Sequence, residues 1–462
     1  MSSLLGALSI AAGALDAEQG AMNATTNNVA NVNTPGYSRL QPVLVENDPL
    51  VLGSLTYGQG VTLQKLESVR DPILQLRIEQ ETQQQGQLSA FTSAMQQAQV
   101  QFTSSSSDIG SQISNFFTSV NQLSTDPTNL SVRQGVLAAA GNLATVFNNT
   151  SNSLTQQQSG IDQNVSQDVQ QVNTLTTRIA GLNTQISQLQ GVSQDASAFE
   201  DQRDVLIGQL SGLIDVSSIK SDNGLTLTTA NGAPLVVGGQ SFALTTQTNA
   251  SGFQDVYSQG VDITSKLTSG QLAGLIQVRD QTIPGVLSNL DTLASGLANA
   301  LNTANKAGFD LHGNPGVDIF TPPSVSGKGY AGTMAVQMTD PSLIAASSDG
   351  SAGSNGNVAV IAAVQNANVI GAAGSQTTPT DYYSSIVFNV GNDVSNGSAE
   401  LTASQLVLSQ LNDQRGSISG VNLNEEAANM VQYQRAYDAA ANVVTTINDM
   451  IYTAINMGTL TG

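Results

Sequence analysis

The residues best suited to chemistry lie in one glycine-rich loop, AGFDLHGNPGVDIF, residues 307–320. His312 is the only histidine of the chain, and the absence of cysteine excludes a Cys–His nucleophile pair. A Ser-His-Asp arrangement would also need His312. We interpret His312 as an exposed loop residue.

The same loop spaces Asp310, His312, Asn314 and Asp318 somewhat like a calcium-binding loop. Thr321 stands where the bidentate glutamate of such a loop is expected, and the glycine is one position late. The pattern favours a Gly/Pro turn over a metal site.

Two adjacent carboxylates, Glu425 and Glu426, point to different faces of a predicted helix, and helix capping explains them better than acid–base catalysis. No glycine-rich stretch matches a P-loop or a dinucleotide fingerprint. We therefore predict no catalytic, metal or cofactor site, and no enzyme.

The charge and the hydrophobicity of the chain limit the kinds of partner that it can bind. The 462-residue chain has a net charge of −20 and no Lys/Arg cluster, which disfavours nucleic acid and an anionic membrane surface. The sequence contains no run of eighteen apolar residues, which is the length needed to span a bilayer. The segment Leu4 to Leu15 resembles a signal-peptide core but has no preceding Lys or Arg. We expect no cleaved signal peptide, so that export would use another route.

The first 33 residues are predicted to form one helix. Leu8, Leu15, Met22 and Val29 are spaced by sevens, as in a coiled-coil seam. Glycines at 6, 13 and 20 each cost about 1 kcal/mol in a helix interior. This helix should need a partner.

The last forty residues repeat the pattern. Asn422 is positioned to cap the helix, with Glu425 reaching back as in a capping box. An apolar stripe with 3-4 spacing follows. It comprises Met430, Tyr433, Tyr437, Ala440, Val444, Ile447, Ile451 and Ala454.

Between the ends, helical patterns alternate with two other regions. Residues 222–263 alternate apolar and polar residues, with turn signals at Asn231-Gly232 and Gly238-Gly239. Residues 306–395 are rich in Gly, Ser and Pro. We predict a mainly α fold with a β insert, whose long terminal helices pair as a coiled coil. The predicted domains are 1–40 with 420–462 (terminal coiled coil), 41–221 with 264–419 (mainly helical middle, loop-rich at 306–395) and 222–263 (small β-rich outer domain).

The two ends carry a family resemblance. ANVNTPGYSR resembles the N-terminal motif of bacterial flagellar axial proteins, and QRAYDAAANVVTTINDM resembles their C-terminal helix. Within that group, three further stretches resemble the hook-associated protein 1 family. They are residues 199–216, 293–320 and 417–437.

The resemblance implies a structural component of the flagellum that polymerises as a ring at the hook–filament junction. It implies an extracellular location after type III export, and partners that are further copies of the chain, hook protein and a second junction protein. It also implies an export chaperone at the C-terminal helix.

The resemblance assigns an axial motif to Asn31, Thr34, Pro35, Gly36 and Tyr37. By their residue types, Pro35 and Gly36 suit the centre of a type II turn that ends the first helix. The polymerisation seam would comprise Leu8, Leu15, Met22 and Val29 with Tyr433, Tyr437, Val444, Ile447 and Ile451.

Two alternatives remain open at this point. Another axial protein of the hook or distal rod type shares the terminal motifs. A secreted hydrolase or adhesin with coiled-coil ends would need a pocket with converging polar groups, which the sequence does not indicate.

Overall fold

The protein is mainly helical with small antiparallel sheets, in the residues that the computed structural model describes. These are 2–52, 55–103, 108–192, 194–221, 224–324 and 327–459. The terminal helices are in contact with each other. The predicted fold class is confirmed.

Long helices dominate the chain, and one of them has 62 residues. The helices are α1 Ser2–Ala30, α2 Pro72–Val100, α3 Ile109–Leu123, α4 Leu130–Gly191, α5 Ser197–Leu213, α6 Gly270–Gln277, α7 Ile283–Lys306, α8 Gly356–Ala363, α9 Pro379–Ser419 and α10 Leu423–Thr459. A π-helical segment, Val278–Thr282, joins α6 to α7.

The strands pair only with antiparallel neighbours close in sequence. They are β1 Leu40–Glu46, β2 Leu50–Leu52, β3 Leu55–Tyr57, β4 Val61–Ser68, β5 Ser217–Ser221, β6 Gly224–Thr228, β7 Pro234–Val237, β8 Gln240–Ser241, β9 Leu244–Thr248, β10 Gln254–Ser258 and β11 Val261–Asp262. The sheets are β1-β4, β2-β3, β5-β6-β7-β8 and β11-β10-β9.

The chain divides into two compact units. The terminal unit comprises Met1–Gln83, Val172–Ala243 and Gln405–Gly462, and the central unit comprises Gln84–Gln171 and Leu244–Ser404. The strands predicted within 222–263 thus belong to two sheets, one in each unit. The domain division expected from the sequence stays a prediction.

In the terminal unit, the sheet β5-β6-β7-β8 is held to α4 by a partly buried amide. Asn183 Nδ2 donates to the carbonyl oxygens of Leu225 at 3.2 Å and Gly238 at 2.8 Å. The expected turns are present, since Gly232 and Gly238 both have positive φ between consecutive strands.

In the central unit, a fully buried arginine joins α4 to the sheet β11-β10-β9. Arg279 forms ion pairs with Asp162 at 2.6 Å, Asp280 at 2.7 Å and Asp255 at 3.6 Å. Its guanidinium also lies 5.4 Å from the ring centroid of Phe253. A buried cation with several carboxylates is stable where an unpaired one is not.

The sequence patterns missed several elements. The four strands of residues 40–68 lie in the region 41–221 that was predicted to be mainly helical, and α9 begins at Pro379, inside the stretch 306–395 that was expected to be rich in loops. Within the same stretch, Val336 forms an isolated antiparallel bridge with Phe320. The segment NVAVIAAVQNANV, residues 357–369, begins within α8.

Candidate functional site

The axial motif forms a tight turn directly after α1. The amide of Tyr37 donates to the carbonyl oxygen of Thr34 at 3.2 Å, and Gly36 between them has φ +82°. Positive φ at the third residue is the mark of a type II turn, and Pro35 at the second favours it. The predicted turn is confirmed.

Asn31, the first residue after α1, caps the last turn of that helix with its side chain. Its Nδ2 donates to the carbonyl oxygen of Asn27 at 3.0 Å and to the side chain of Asn27 at 2.7 Å. The hydroxyl of Thr34 donates to Asn31 Oδ1 at 3.1 Å. These contacts satisfy backbone and side-chain groups at the helix end without adding charge.

The residue that ties this turn to the rest of the protein is Asn28, which is 1% exposed. Its Oδ1 accepts from the Tyr37 hydroxyl and from the Leu40 amide, both at 2.8 Å. Its Nδ2 donates to the Leu40 carbonyl at 2.9 Å and to Glu426 Oε1 at 3.1 Å. All four hydrogen-bonding positions of the amide are used, which a buried side-chain amide requires.

The start of α10 meets the same turn. The Asn422 side chain accepts from the Asn424 amide at 3.0 Å, so the predicted cap is present. Glu425 instead forms an ion pair with Arg39 at 2.8 Å, and Glu426 is 2% exposed. The paired glutamates therefore bind the N-terminal segment.

Two further helices complete the cluster. Arg415 near the end of α9 donates to the Gly36 carbonyl at 3.0 Å, and the Ser419 carbonyl accepts from the Arg39 amide at 2.8 Å. Asp201 of α5 accepts from the Ser38 amide at 3.1 Å. We call this cluster the terminal latch: Asn28, Gly36, Tyr37, Ser38, Arg39, Asp201, Arg415, Ser419, Glu425 and Glu426.

Electrostatics keep the latch tyrosine neutral. Burial raises the pKa of Tyr37 to about 12, and the negative charges of Asp201, Glu426 and Asp195 act in the same direction. The hydroxyl therefore remains a donor to Asn28 at any physiological pH.

Arg70, just before α2, fixes α5 beneath the latch. Its guanidinium pairs with Asp201 at 2.8 Å, Glu200 at 2.9 Å and Asp204 at 3.4 Å. Burial raises the pKa of Asp201, and Arg70 offsets part of that effect. One arginine thus compensates three carboxylates that crowd the start of α5.

The predicted apolar stripe of α10 is the side of that helix with least exposure. Ile447 is 6% exposed. Tyr433, Tyr437, Val444 and Ile451 are partly buried, whereas most positions between them are exposed. Because α1 and α10 are in contact, this stripe packs toward α1.

On α1 the most buried positions are small residues rather than the predicted row. Leu8, Leu15 and Met22 are partly buried, and Val29 is 41% exposed. The buried positions are Ala11, Ala17, Ala21, Ala24, Thr25 and Asn28. Small residues allow neighbouring elements to approach a helix closely. The assignment of both rows to a polymerisation seam stays a prediction.

The glycines of α1 have a use that the sequence did not reveal. A Cβ on Gly20 would lie 2.3 Å from Leu63 of β4, and one on Gly13 would lie 3.2 Å from the Val61 carbonyl. The antiparallel pair of β1 and β4 therefore packs on the glycine side of α1. The spacing of seven between these glycines was the available signal.

The loop with possible chemistry forms a turn that is stabilised by Asp310. His312 is exposed, as interpreted from the sequence. Asp310 accepts from the amides of His312 and Asn314, each at 2.8 Å, so its carboxylate is used within its own turn. Among the described residues no cluster of three acidic or histidine side chains could hold a metal ion. None of the helices in the described part of the chain combines the length and the hydropathy that a membrane span requires.

Comparison with known proteins decides between the axial families. A family model described as "Flagellar hook-associated protein FlgK helical domain" matches residues 95–320. Models described as "Flagella basal body rod protein" and "Flagellar basal body rod FlgEFG protein C-terminal" match residues 8–37 and 414–457.

Two full-length relatives are both named flagellar hook-associated protein 1. The one from Bacillus subtilis is 29% identical, and the alignment covers 99% of each chain. The one from Escherichia coli is 28% identical over 96% of this chain and 98% of the relative. The chain belongs to the flagellar hook-associated protein 1 family.

A solved structure has the same fold as this member of the hook-associated protein 1 family. The flagellar hook junction protein FlgK from Burkholderia pseudomallei superposes with a TM-score of 0.67 at 17% identity. The match covers 74% of this chain and 100% of the solved one.

Membership in the hook-associated protein 1 family settles the broad function. The chain is a structural, non-enzymatic component of the extracellular flagellum, at the junction of hook and filament. The internal match to residues 95–320 separates it from hook and rod proteins, with which it shares only the terminal models. The family assignment also excludes the alternative of a secreted hydrolase or adhesin.

Proposed function

We propose that the paired helices α1 and α10 are the part of this chain that polymerises, and that the terminal latch holds them in the geometry that assembly needs. The chain would form a ring that contacts hook protein on one side and a second junction protein on the other. The predicted axial motif would act by forming the latch turn.

The observation that carries this proposal is the convergence of distant segments at Asn28. The amide joins α1, the turn after it and the start of α10, while Arg415 and Asp201 bind the same turn from α9 and α5. A buried amide whose hydrogen-bonding positions are all used fixes one arrangement because any shift leaves polar groups unpaired. The direction of the helix pair relative to α5 and α9 is thereby defined.

The surface of the helix pair supports assembly. Large apolar side chains such as Leu5 (60% exposed), Met450 (52%) and Tyr452 (70%) lie on helices with few charges. Exposed apolar surface of this kind marks an interaction site. Before export such a surface would promote aggregation, and we propose that an export chaperone covers α10 in the cell.

Attachment to isolated hooks tests the proposal. Purified chain should attach to hook ends in electron micrographs, and a variant lacking residues 1–30 should not. The matched control lacks only residues 222–243, the strands β6–β8, and should still attach. Attachment by the chain that lacks α1 would contradict the role given to the helix pair.

A further inference from the structure

A cleft of about 510 Å³ lies between the start of α2 and one face of α5. Its lining comes from the terminal unit alone, with further walls from β4, β5, β6 and the end of α9. We call it the α2–α5 cleft, and the residues used below are Ser68, Leu76, Glu79, Arg203, Ile207 and Leu225. Its volume is that of a small-molecule site.

Glu79 of α2 lines this cleft with a carboxylate that is only half bonded. The residue is 6% exposed, and its Oε1 accepts one hydrogen bond, from Gln75 Nε2 at 3.0 Å. Within the described part of the chain, Oε2 accepts no hydrogen bond and Glu79 forms no ion pair. Burial raises the pKa of Glu79 to about 6. A nearly enclosed carboxylate of this kind needs a further donor to hold its charge.

The arginines on the α5 side of the cleft are already engaged. Arg70 pairs with Glu200 at 2.9 Å and with Asp204 at 3.4 Å. Arg203 lies 3.7 Å from Asp204 and donates to Asn183 at 3.3 Å. These cations therefore compensate the carboxylates of α5 rather than Glu79.

The remaining charged groups of the cleft also have partners. Arg415 donates to the Gly36 carbonyl, and Glu67 pairs with Lys65 at 3.2 Å. Asp71 accepts from the amides at the start of α2. The lining as a whole contains five carboxylates and three guanidinium groups, so that it favours a cation.

The lining favours an ammonium group on an aliphatic stem over a bare metal ion. No cluster of three acidic side chains within the described ranges could hold a metal. Leu76 is 40% exposed, Ile207 is buried and Leu225 is half-buried, which gives the stem an apolar wall. Ser68 Oγ is buried without a hydrogen-bond partner and offers a second acceptor in the cleft. An ammonium group is compact and has three donors.

We propose that the α2–α5 cleft binds a primary ammonium group on an aliphatic stem, with the ammonium on Glu79 and the stem against Leu76 and Leu225. The lysine side chain of a partner protein and a free diamine share this chemistry. The site belongs to the free chain and does not depend on ring formation, so a failure of hook attachment would leave it intact.

Titration with n-butylamine, which has the stem and the ammonium of a lysine side chain, tests the site. Ligand-observed NMR at pH 7 should show binding in the millimolar range, and n-butanol should bind at least about tenfold more weakly. Glu79→Gln should weaken butylammonium binding about tenfold, because it removes the charge and keeps the shape. The fold should accept this amide, since below its pKa of about 6 the native Glu79 is also uncharged.

The matched control is Glu46→Gln, which makes the same change of net charge at an exposed position of β1 outside the cleft. It should bind butylammonium like the native chain. Equal binding by the native chain and by Glu79→Gln, or equal binding of butylammonium and butanol, would overturn the proposal.

The pH profile of binding identifies the group that the ammonium meets. Between pH 7 and pH 5 Glu79 becomes protonated, and affinity should fall about tenfold. Asp204 faces the same cleft and burial raises its pKa too, whereas Arg70, Arg203 and Arg415 keep their charge in this range. Glu79→Gln should therefore lose the pH dependence, and Glu46→Gln should keep it. The same slope in Glu79→Gln as in the native chain would contradict the role of Glu79.

Two further probes distinguish the sources of the ammonium. Nα-acetyl-lysine N-methylamide carries a backbone on the stem, and 1,4-diaminobutane carries a second ammonium. A site for a partner's lysine should bind the first as tightly as butylamine, and a site for a free diamine should bind the second about tenfold more tightly and exclude the first. Failure of both compounds to bind would overturn the proposal.

Discussion

Asn28 and Glu426 lie 398 positions apart in the chain, and the Asn28 amide donates a 3.1 Å hydrogen bond to the Glu426 carboxylate. Both side chains are at most 2% exposed. The two ends of the chain are thus joined by a buried polar contact as well as by apolar packing.

Replacing Asn28 tests the importance of that contact. Asn28→Ala removes four hydrogen bonds and leaves the groups of Tyr37, Leu40 and Glu426 unpaired, at an expected cost of about 3 kcal/mol in the free energy of unfolding. Urea unfolding of the terminal unit measures it. Asn33→Ala, at an exposed position of the same motif, should change stability by less than about 0.5 kcal/mol. Equal effects of the two changes would argue against the latch.

Gly36 should tolerate no side chain. Its φ of +82° disfavours alanine, and a Cβ there would lie 2.2 Å from Val205 Cγ2. We expect Gly36→Ala to lower the free energy of unfolding by about 2 kcal/mol. Adding Val205→Ala relieves the overlap but not the backbone strain, so it should recover only part of the loss. Gly416→Ala, in open space on α9, should stabilise by up to about 1 kcal/mol.

Arg70 and Glu425 form ion pairs of unequal strength. Arg70→Ala leaves three crowded carboxylates without compensation and should cost about 3 kcal/mol. Glu425 is 53% exposed in its pair with Arg39, so Glu425→Ala should cost about 0.5 kcal/mol, and less in high salt. Thermal unfolding at two salt concentrations separates the two cases. A larger loss from Glu425 than from Arg70 would contradict this ranking.

A buried carboxylate of the central unit gives a pH dependence. Burial raises the pKa of Asp168 from 3.8 to about 6, one of its oxygens has no partner, and the other accepts a 3.3 Å hydrogen bond from Gln271. Between these two values the folded chain holds a proton that the unfolded chain releases. Stability therefore falls as pH rises from about 4 to about 6.

Asp168→Asn removes this penalty. At pH 7 the variant should be more stable than the native chain by about 2 kcal/mol, and below pH 4 the two should be alike. Urea midpoints measured across that range provide the test. A constant difference at every pH would mean that ionisation of Asp168 is not the cause.

The sequence predicted the features that depend on local chemistry. The Thr34–Tyr37 turn and the Asn231-Gly232 hairpin follow from residue types that tolerate their backbone angles. The stripe around Ile447 follows from spacing alone. Each of these signals lies within one continuous stretch of sequence.

The remaining features depend on partners far away in the chain. In the sequence, Asn28 is one of several asparagines near the end of α1. Its role depends on its contacts with Leu40 and Glu426, which only the folded chain provides. The strands β1 and β4 contain Pro42 and many exposed positions, so their pattern does not alternate clearly. They are stabilised by packing on the glycine side of α1, which no local pattern shows.

The most direct test of the central claim, that the paired terminal helices assemble the junction, is attachment to isolated hooks by two matched variants. Ile447→Asn/Ile451→Asn puts polar amides into the side of α10 that faces α1, where unpaired burial costs about 1–3 kcal/mol each. Thr446→Asn/Thr453→Asn makes the same change at exposed positions of the same helix. We predict that the second variant attaches like the native chain and that the first does not, while the central unit of both keeps its melting temperature. Normal attachment by the Ile447→Asn/Ile451→Asn chain would contradict the account.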